Sequence, residues 1–186
     1  MAEVTIRPAT PADIPAITAI YKPAVETGLA SWEYDPPDEG EMRRRFDAVL
    51  AAGFPYFVAE RDGEVIGYTY ASSYRTRPGY RWTVENTVYV APKAHRTGTA
   101  RRLLTALMTA CADAGYRQMI AVIGDSANTA SIGFHRALGF TFCGTIHSIG
   151  WKQGRWLDCI IMQHELGPGD RQGVDRPPGL TDRHSS

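Results

Sequence analysis

Apolar and polar positions alternate at the start of the chain, with Val4 and Ile6 on one side of Glu3, Thr5 and Arg7. That period predicts a short strand over Glu3 to Pro8. The period then lengthens. Ile14, Ile17, Tyr21 and Val25 recur at helical spacing, with Thr10 as N-cap, Pro11 at the first position and Gly28 at the end. A second helix is predicted after Asp38, with Met42, Phe46, Val49 and Leu50 on its apolar face. Strands over Tyr56 to Glu60 and Val65 to Ala71 flank Asp62-Gly63, a strong hairpin signal. A basic loop, Ser72 to Arg81, precedes a strand over Val84 to Ala91, which Pro92 should stop. Leu103, Leu104 and Leu107 mark a third helix, closed near Gly115. Met119 to Ile123 reads as a strand, and Asn128 caps a helix that Gly139 ends. Two further strands, Phe140 to Ile149 and Arg155 to Glu165, are joined by a turn at Lys152 to Gly154. This order predicts an α/β (α+β) chain: a mixed, mostly antiparallel central sheet with helices on both faces.

Residues 167–186 differ in kind. Val174 and Leu180 are their only large aliphatics, so they read as a mobile tail after a single domain over 1–166. The large side chains Trp32, Glu33 and Tyr34 are unusual for a connector, and Arg43, Arg44 and Arg45 read as a solvated helix face.

The stretch His95, Arg96, Thr97, Gly98, Thr99, Ala100 leads into the third helix. Gly98 and Ala100 keep this loop bare, so its backbone N–H groups can approach a ligand closely. Those groups lie at a helix N-terminus, where the dipole favours negative charge, and together they suit a pyrophosphate. Neither a Walker-type loop nor a Gly-x-Gly-x-x-Gly turn after a strand is present.

Composition narrows the alternatives. The formal net charge is zero, which argues against nucleic acid or an anionic membrane held by bulk electrostatics. No apolar run approaches membrane-spanning length, and the N-terminus is no signal peptide. Cys111, Cys143 and Cys159 form no Cys-x-x-Cys pair, so neither a disulfide framework nor a metal site is expected. They read as three small core residues in a reducing cytoplasm.

The bare loop resembles the acetyl-CoA signature of the GNAT superfamily of N-acetyltransferases, Gln/Arg-x-x-Gly-x-Gly/Ala, with His95 departing at the first position. The helix Asn128-x-x-Ser131-x-x-x-His135 before Gly139-Phe140 resembles that family's second cofactor-facing motif. With WTVENTVYV from Trp82 and GRWLDCIIMQ from Gly154, the sequence is similar to the branch that acetylates phosphinothricin, methionine sulfoximine and methionine sulfone. The resemblance spans Val4 to Glu165 and implies the GNAT fold. It implies acetyl-CoA as co-substrate, a small amino acid accepting acetyl on its α-amino group, no metal, and a homodimer. It implies cofactor contacts from Val88, Tyr89, Val90, His95, Arg96, Thr97, Gly98, Thr99, Ala100, Asn128 and Ser131.

Glu85 matches the branch's catalytic glutamate, a carboxylate that takes the ammonium proton. The spacing around it leaves open which sheet face it takes. A backbone N–H near Val90 is the expected donor to the thioester oxygen. His135 stands where many members carry a tyrosine that protonates the leaving thiolate; the residues alone fit equally a half-buried helix position near Phe134 and Leu138. Arg75 and Arg77 fit a carboxylate or phosphinate, the alternative being a solvated loop. Trp32 and Tyr89 are candidate pocket walls or core residues. Within the enzyme class, the rival readings are a protein N-terminal or polyamine acetyltransferase; the rival from another class is a non-catalytic CoA-binding regulatory domain.

Overall fold

The computed structural model describes residues 3–179. Seven strands form one sheet in the order β1-β2-β3-β4-β5-β7-β6. They are β1 (Thr5–Pro8), β2 (Tyr56–Arg61), β3 (Glu64–Ser73), β4 (Thr83–Val90), β5 (Gln118–Gly124), β6 (Thr141–Lys152) and β7 (Arg155–Glu165). Every neighbouring pair is antiparallel except β4 and β5. The helices are α1 (Ile14–Glu26), α2 (Glu39–Ala51), α3 (Thr99–Asp113) and α4 (Thr129–Ala137). One core packs α1 and α2 through Ile14, Ile17 and Phe46 against Val58 and Tyr68. Another packs α3 through Leu104 and Leu107 against Val84, Met119, Ala121 and Met162. The helices therefore cover both faces, and the alternation of β4 divides its side chains between them. Val84 joins the α3 core, whereas Tyr89 packs against the α1–α2 core.

Every predicted helix and strand is present, most with shifted ends. Asp62 and Gly63 both take positive φ, the geometry of a two-residue hairpin turn. Asp38 caps α2 by accepting from the Glu41 N–H, and Asn128 caps α4 by accepting from the Ser131 N–H. Thr10 is the N-cap residue, with Pro11 next to it and Asp13 in the first turn, but the element it opens is not yet α1. A 3₁₀ turn over Pro11–Asp13 intervenes, and the Asp13 carboxylate accepts from the Thr10 N–H and hydroxyl. Arg7 forks onto the same carboxylate at 2.7 and 2.8 Å. These bonds, the Arg7 guanidinium foremost, hold Asp13 below the usual carboxylate range. A depressed carboxylate adds stability above its unfolded pKa and loses it as pH falls through the folded one. Asp13→Asn should therefore cost about 1–3 kcal/mol at neutral pH. Urea unfolding should show that difference shrinking as pH drops below the ordinary carboxylate range.

Lys152, expected in a turn, is instead the buried last residue of β6, and the tight turn is Gln153-Gly154. Cys143, expected in the core, is exposed, because its strand lies at the sheet edge; Cys111 and Cys159 are buried. Residues 167–179, expected as a mobile tail, carry no helix or strand and lie against the body. The Gly179 N–H donates to Ala114 O at 3.0 Å, and Trp82 Nε1 donates to Arg176 O at 3.4 Å. The rest of that stretch, 180–186, lies outside the described residues.

Candidate active site

The sheet opens where β4 leaves β5. Their parallel pairing runs through Thr83↔Gln118, Val84↔Met119 and Glu85↔Ile120, and then stops. β4 nevertheless stays paired with β3 as far as Val90. The Ala91 N–H donates to Ile66 O on the β3 side. Successive residues of an antiparallel ladder point their backbone groups to opposite edges. The N–H groups of Val90 and Val88 therefore face the edge that β5 has left. This is a row of donors aimed into a gap, which suits an acceptor oxygen that gains charge.

Asn86 stands at the start of the gap and was not singled out from the sequence. Its Nδ2 donates to Ile120 O at 3.0 Å, so a side chain takes up a carbonyl at the point where ladder pairing ends. That bond fixes the amide and turns Oδ1 toward His135 Nε2, 3.2 Å away. His135 Nδ1 lies 2.9 Å from Ser131 O and 3.4 Å from Ser131 Oγ. Both ring nitrogens thus face acceptors, which an imidazolium satisfies together and a neutral ring one at a time. Burial pulls the His135 pKa down, and the Ser131 carbonyl opposes this. The ring is also set edge-on between Phe134 and Phe140.

The gap is a slot of about 280 Å³ lined by residues from both faces of the sheet. Asn86, Val88, Ser131 and His135 line it together with Glu85, Thr87, Tyr89, Trp32 and Glu33. The first group belongs to the α3–α4 side and the second to the α1–α2 side, because β4 alternates. This settles the face left open by the spacing: Glu85 shares a side with Thr87 and Tyr89. Glu85 is half-buried, and burial raises its pKa above the ordinary carboxylate value. A carboxylate so placed is a competent proton acceptor near neutral pH.

The α1–α2 side carries a second network that the sequence did not reveal. Arg45 forks onto Glu33 at 2.7 and 3.0 Å, and the Tyr21 hydroxyl donates to Glu33 at 2.7 Å. Arg45, chiefly, holds Glu33 below the usual carboxylate range. Burial pushes the Tyr21 hydroxyl up to about 12. Tyr21 meets Tyr89 edge-on, with ring centroids 5.0 Å apart. Arg45 is therefore part of the slot's wall support, not simply one of three solvated arginines.

The loop after β4 has the geometry its composition implied. A 3₁₀ turn over Pro92–Ala94 leads into residues 95–98. Arg96 has φ 59°, and Gly98 has φ 82° as the N-cap of α3. Gly98 has no side chain with which to cap the helix, so the first N–H groups of α3 have no side-chain acceptor there. Left-handed residues next to a helix start turn successive amides to one side, a nest for an anion. Thr97 Oγ1 steadies the loop, donating to Ala94 O at 2.8 Å and lying 2.7 Å from Thr99 Oγ1. His95 is exposed, and Ala100 is partly buried at the helix start.

The two loop arginines sit apart from the slot. Arg75 is fully exposed, lies over the Tyr74 and Tyr80 rings, and borders an apolar shelf that shares Trp32 and Val122 with the slot. Arg77 precedes the 3₁₀ turn at Pro78–Tyr80 and lines neither cavity.

The model of the acetyltransferase (GNAT) domain matches residues 6–161. The chain belongs to the GNAT acetyltransferase family. It is 52% identical over 166 residues to a phosphinothricin N-acetyltransferase of Alcaligenes faecalis, covering 89% of this chain and 84% of that one. It is 42% identical to an L-methionine sulfoximine/L-methionine sulfone acetyltransferase of Pseudomonas paraeruginosa, covering 88% and 95%. The crystal structure of a GNAT superfamily phosphinothricin acetyltransferase from Sinorhizobium meliloti, in complex with acetyl-CoA, superposes with a TM-score of 0.89. It is 43% identical and covers 97% of each chain. In this GNAT chain the parted strands, the left-handed Gly98 and the uncapped start of α3 are together suited to an acetyl-CoA: an acceptor oxygen at the slot and an anion at the loop. Among the described residues, no helix is long and apolar enough to cross a membrane.

Proposed function

We propose that this chain transfers acetyl from acetyl-CoA to the α-amino group of a small amino acid or analogue such as phosphinothricin, methionine sulfoximine or methionine sulfone. The observation that carries the reading is Glu85. It is a half-buried carboxyl with a raised pKa, set where β4 parts from β5, on the strand whose Val88 and Val90 amides face the gap.

Acetyl-CoA supplies the thioester, and the protein's own groups do the rest. The amino acid enters from the α1–α2 side against Trp32 and Tyr89. Glu85 accepts the ammonium proton, directly or through one water, which frees the nitrogen lone pair for attack. The Val90 N–H, with Val88 beside it, donates to the carbonyl oxygen as charge builds there. His135, on the cofactor side, donates to the departing thiolate by turning a ring N–H away from Asn86 Oδ1 or Ser131 O, the two acceptors that orient the ring. The nest at Arg96 to Ala100 holds the pyrophosphate, and Asn128 and Ser131 border the cofactor side. Arg75, on the apolar shelf that shares Trp32 and Val122 with the slot, pairs with the substrate's acidic end.

A homodimer belongs to the same proposal. Edge strand β6 and its neighbour β7 expose Phe142, Ile146, Ile149, Trp151 and Trp156, a large apolar strip for a lone chain. So does a cytoplasmic setting, which the unpaired Cys111, Cys143 and Cys159 suit. The testing experiment is thiol release from acetyl-CoA across a panel. Phosphinothricin, methionine sulfoximine and methionine sulfone should turn over best, the common amino acids weakly, and a polyamine or a peptide N-terminus least. Preference for the polyamine or the peptide would overturn the substrate assignment. An absence of turnover with every amine would favour a CoA-binding regulatory domain.

A further inference from the structure

Residues 27–38, between α1 and α2, bring Trp32 and Glu33 to the slot but carry no helix or strand of their own. Contacts from distant parts of the chain hold them. A Cβ on Gly124, the last residue of β5, would stand 2.9 Å from Leu29 O and 3.0 Å from Ala30 O. A Cβ on Gly150 in β6 would stand 2.2 Å from the Trp32 ring. Both close approaches require glycine, so the loop is pressed onto the ends of β5 and β6.

The third contact is polar. Lys152 is only 4% exposed, and its Nζ donates to Ser31 O at 2.8 Å and to Val25 O at 3.0 Å. Val25 lies in the last turn of α1, where carbonyls lack intrahelical partners and the helix dipole is negative. Ser31 immediately precedes Trp32. Its Oγ lies 2.9 Å from the Tyr21 hydroxyl and accepts from the Glu33 N–H at 3.3 Å. A buried ammonium is expensive to desolvate and persists only where strong acceptors meet it. Here the two carbonyls lie 121 and 127 residues away in the chain.

We propose that Lys152 is a positioning residue for the amino-acid substrate, stapling the 27–38 loop to the sheet so that Trp32 and Glu33 stand as the wall opposite Glu85. This rests on the function proposed above. Lys152 lines neither the slot nor the apolar shelf, and so acts through the loop. A methionine of similar length would leave both carbonyls without their donor.

The test uses Lys152→Met and Lys152→Gln, with KM measured separately for methionine sulfoximine and acetyl-CoA. The Met variant should raise the amino-acid KM at least about ten-fold, as expected for losing a charge-assisted contact. The acetyl-CoA KM should stay within about two-fold, since the nest at Gly98 is untouched. The Gln variant, which keeps a shorter donor, should fall between Met and wild type. Gly150→Ala should reproduce the same split by displacing Trp32 without altering Lys152. Hydrogen exchange over residues 27–34 gives a readout that needs no turnover, and it should quicken in Lys152→Met. Unchanged exchange, an unchanged amino-acid KM, or both KM values rising together would overturn the proposal. If Lys152→Met does not fold, a Gln variant with wild-type KM and exchange overturns it. If wild type acetylates no amino acid, the function proposal fails on its own, and quickened exchange still supports the staple.

Discussion

Glu85→Gln is expected to lower kcat by about 10²–10⁴-fold at neutral pH, the usual span for a general base. Glutamine keeps the shape of the side chain and its hydrogen-bonding reach but cannot take a proton. The KM for acetyl-CoA should barely move, because the loop at residues 95–100 lies elsewhere on the strand–loop–helix unit. The pH dependence has a definite sign. Burial raises the Glu85 pKa, so the wild-type rate climbs as pH passes up through that raised value and the carboxylate forms. The variant lacks this limb. Its deficit should shrink at high pH, where the substrate amine loses its proton in solution without help. Initial rates across pH, with acetyl-CoA saturating, check both points. A variant with near-normal kcat at neutral pH would mean that another base serves the reaction, or none.

Gly98→Asp should abolish acetyl-CoA binding. Gly98 holds φ 82°, and a Cβ there would meet nothing within 4 Å. Asparagine and aspartate tolerate the left-handed region better than most residues, so the fold should survive with strain of about 1–2 kcal/mol. What changes is charge: a carboxylate enters an amide nest that must accept a pyrophosphate. At about 100 times its Kd, a ligand stabilises a protein by about 2.7 kcal/mol. For a chain of this size that is a rise in Tm of several degrees, roughly 5–11 °C. Wild type should show the rise in acetyl-CoA and the variant none. An undiminished shift in the variant would remove the nest from the phosphate site.

Local signals were legible in the sequence because they are local. The Asp62-Gly63 turn, the Asn128 cap and the glycine at the start of α3 each act within a few residues, and each is found where the spacing puts it. The face of Glu85 was not legible, since Val84, Thr87 and Val88 break strict alternation of polarity around it. Asn86 looks like any polar strand residue until β5 is in place, when its amide takes the Ile120 carbonyl. Arg45 sits in a run of three arginines, and only the fold brings Glu33 to it. Lys152 lies beside a real turn, and lysine is seldom buried, so a turn position was the natural reading. Its burial depends on carbonyls that the chain delivers from its other end. A few signals did point toward these residues. Trp32, Glu33 and Tyr34 are bulky for a connector, and such side chains need something to pack against.

Direct transfer of acetyl to the α-nitrogen can be followed with two isotopes at once. Acetyl-CoA carrying ¹³C in the acetyl carbonyl is incubated with methionine sulfoximine carrying ¹⁵N at the α-amino group, and the product is followed by NMR while the protein is weighed intact. A one-bond ¹³C–¹⁵N coupling is expected in the product, formed only in the presence of enzyme and nearly absent with Glu85→Gln. No acetylated protein is expected at any time during turnover. Product without that coupling, or acetyl accumulating on the protein before product appears, would contradict direct transfer.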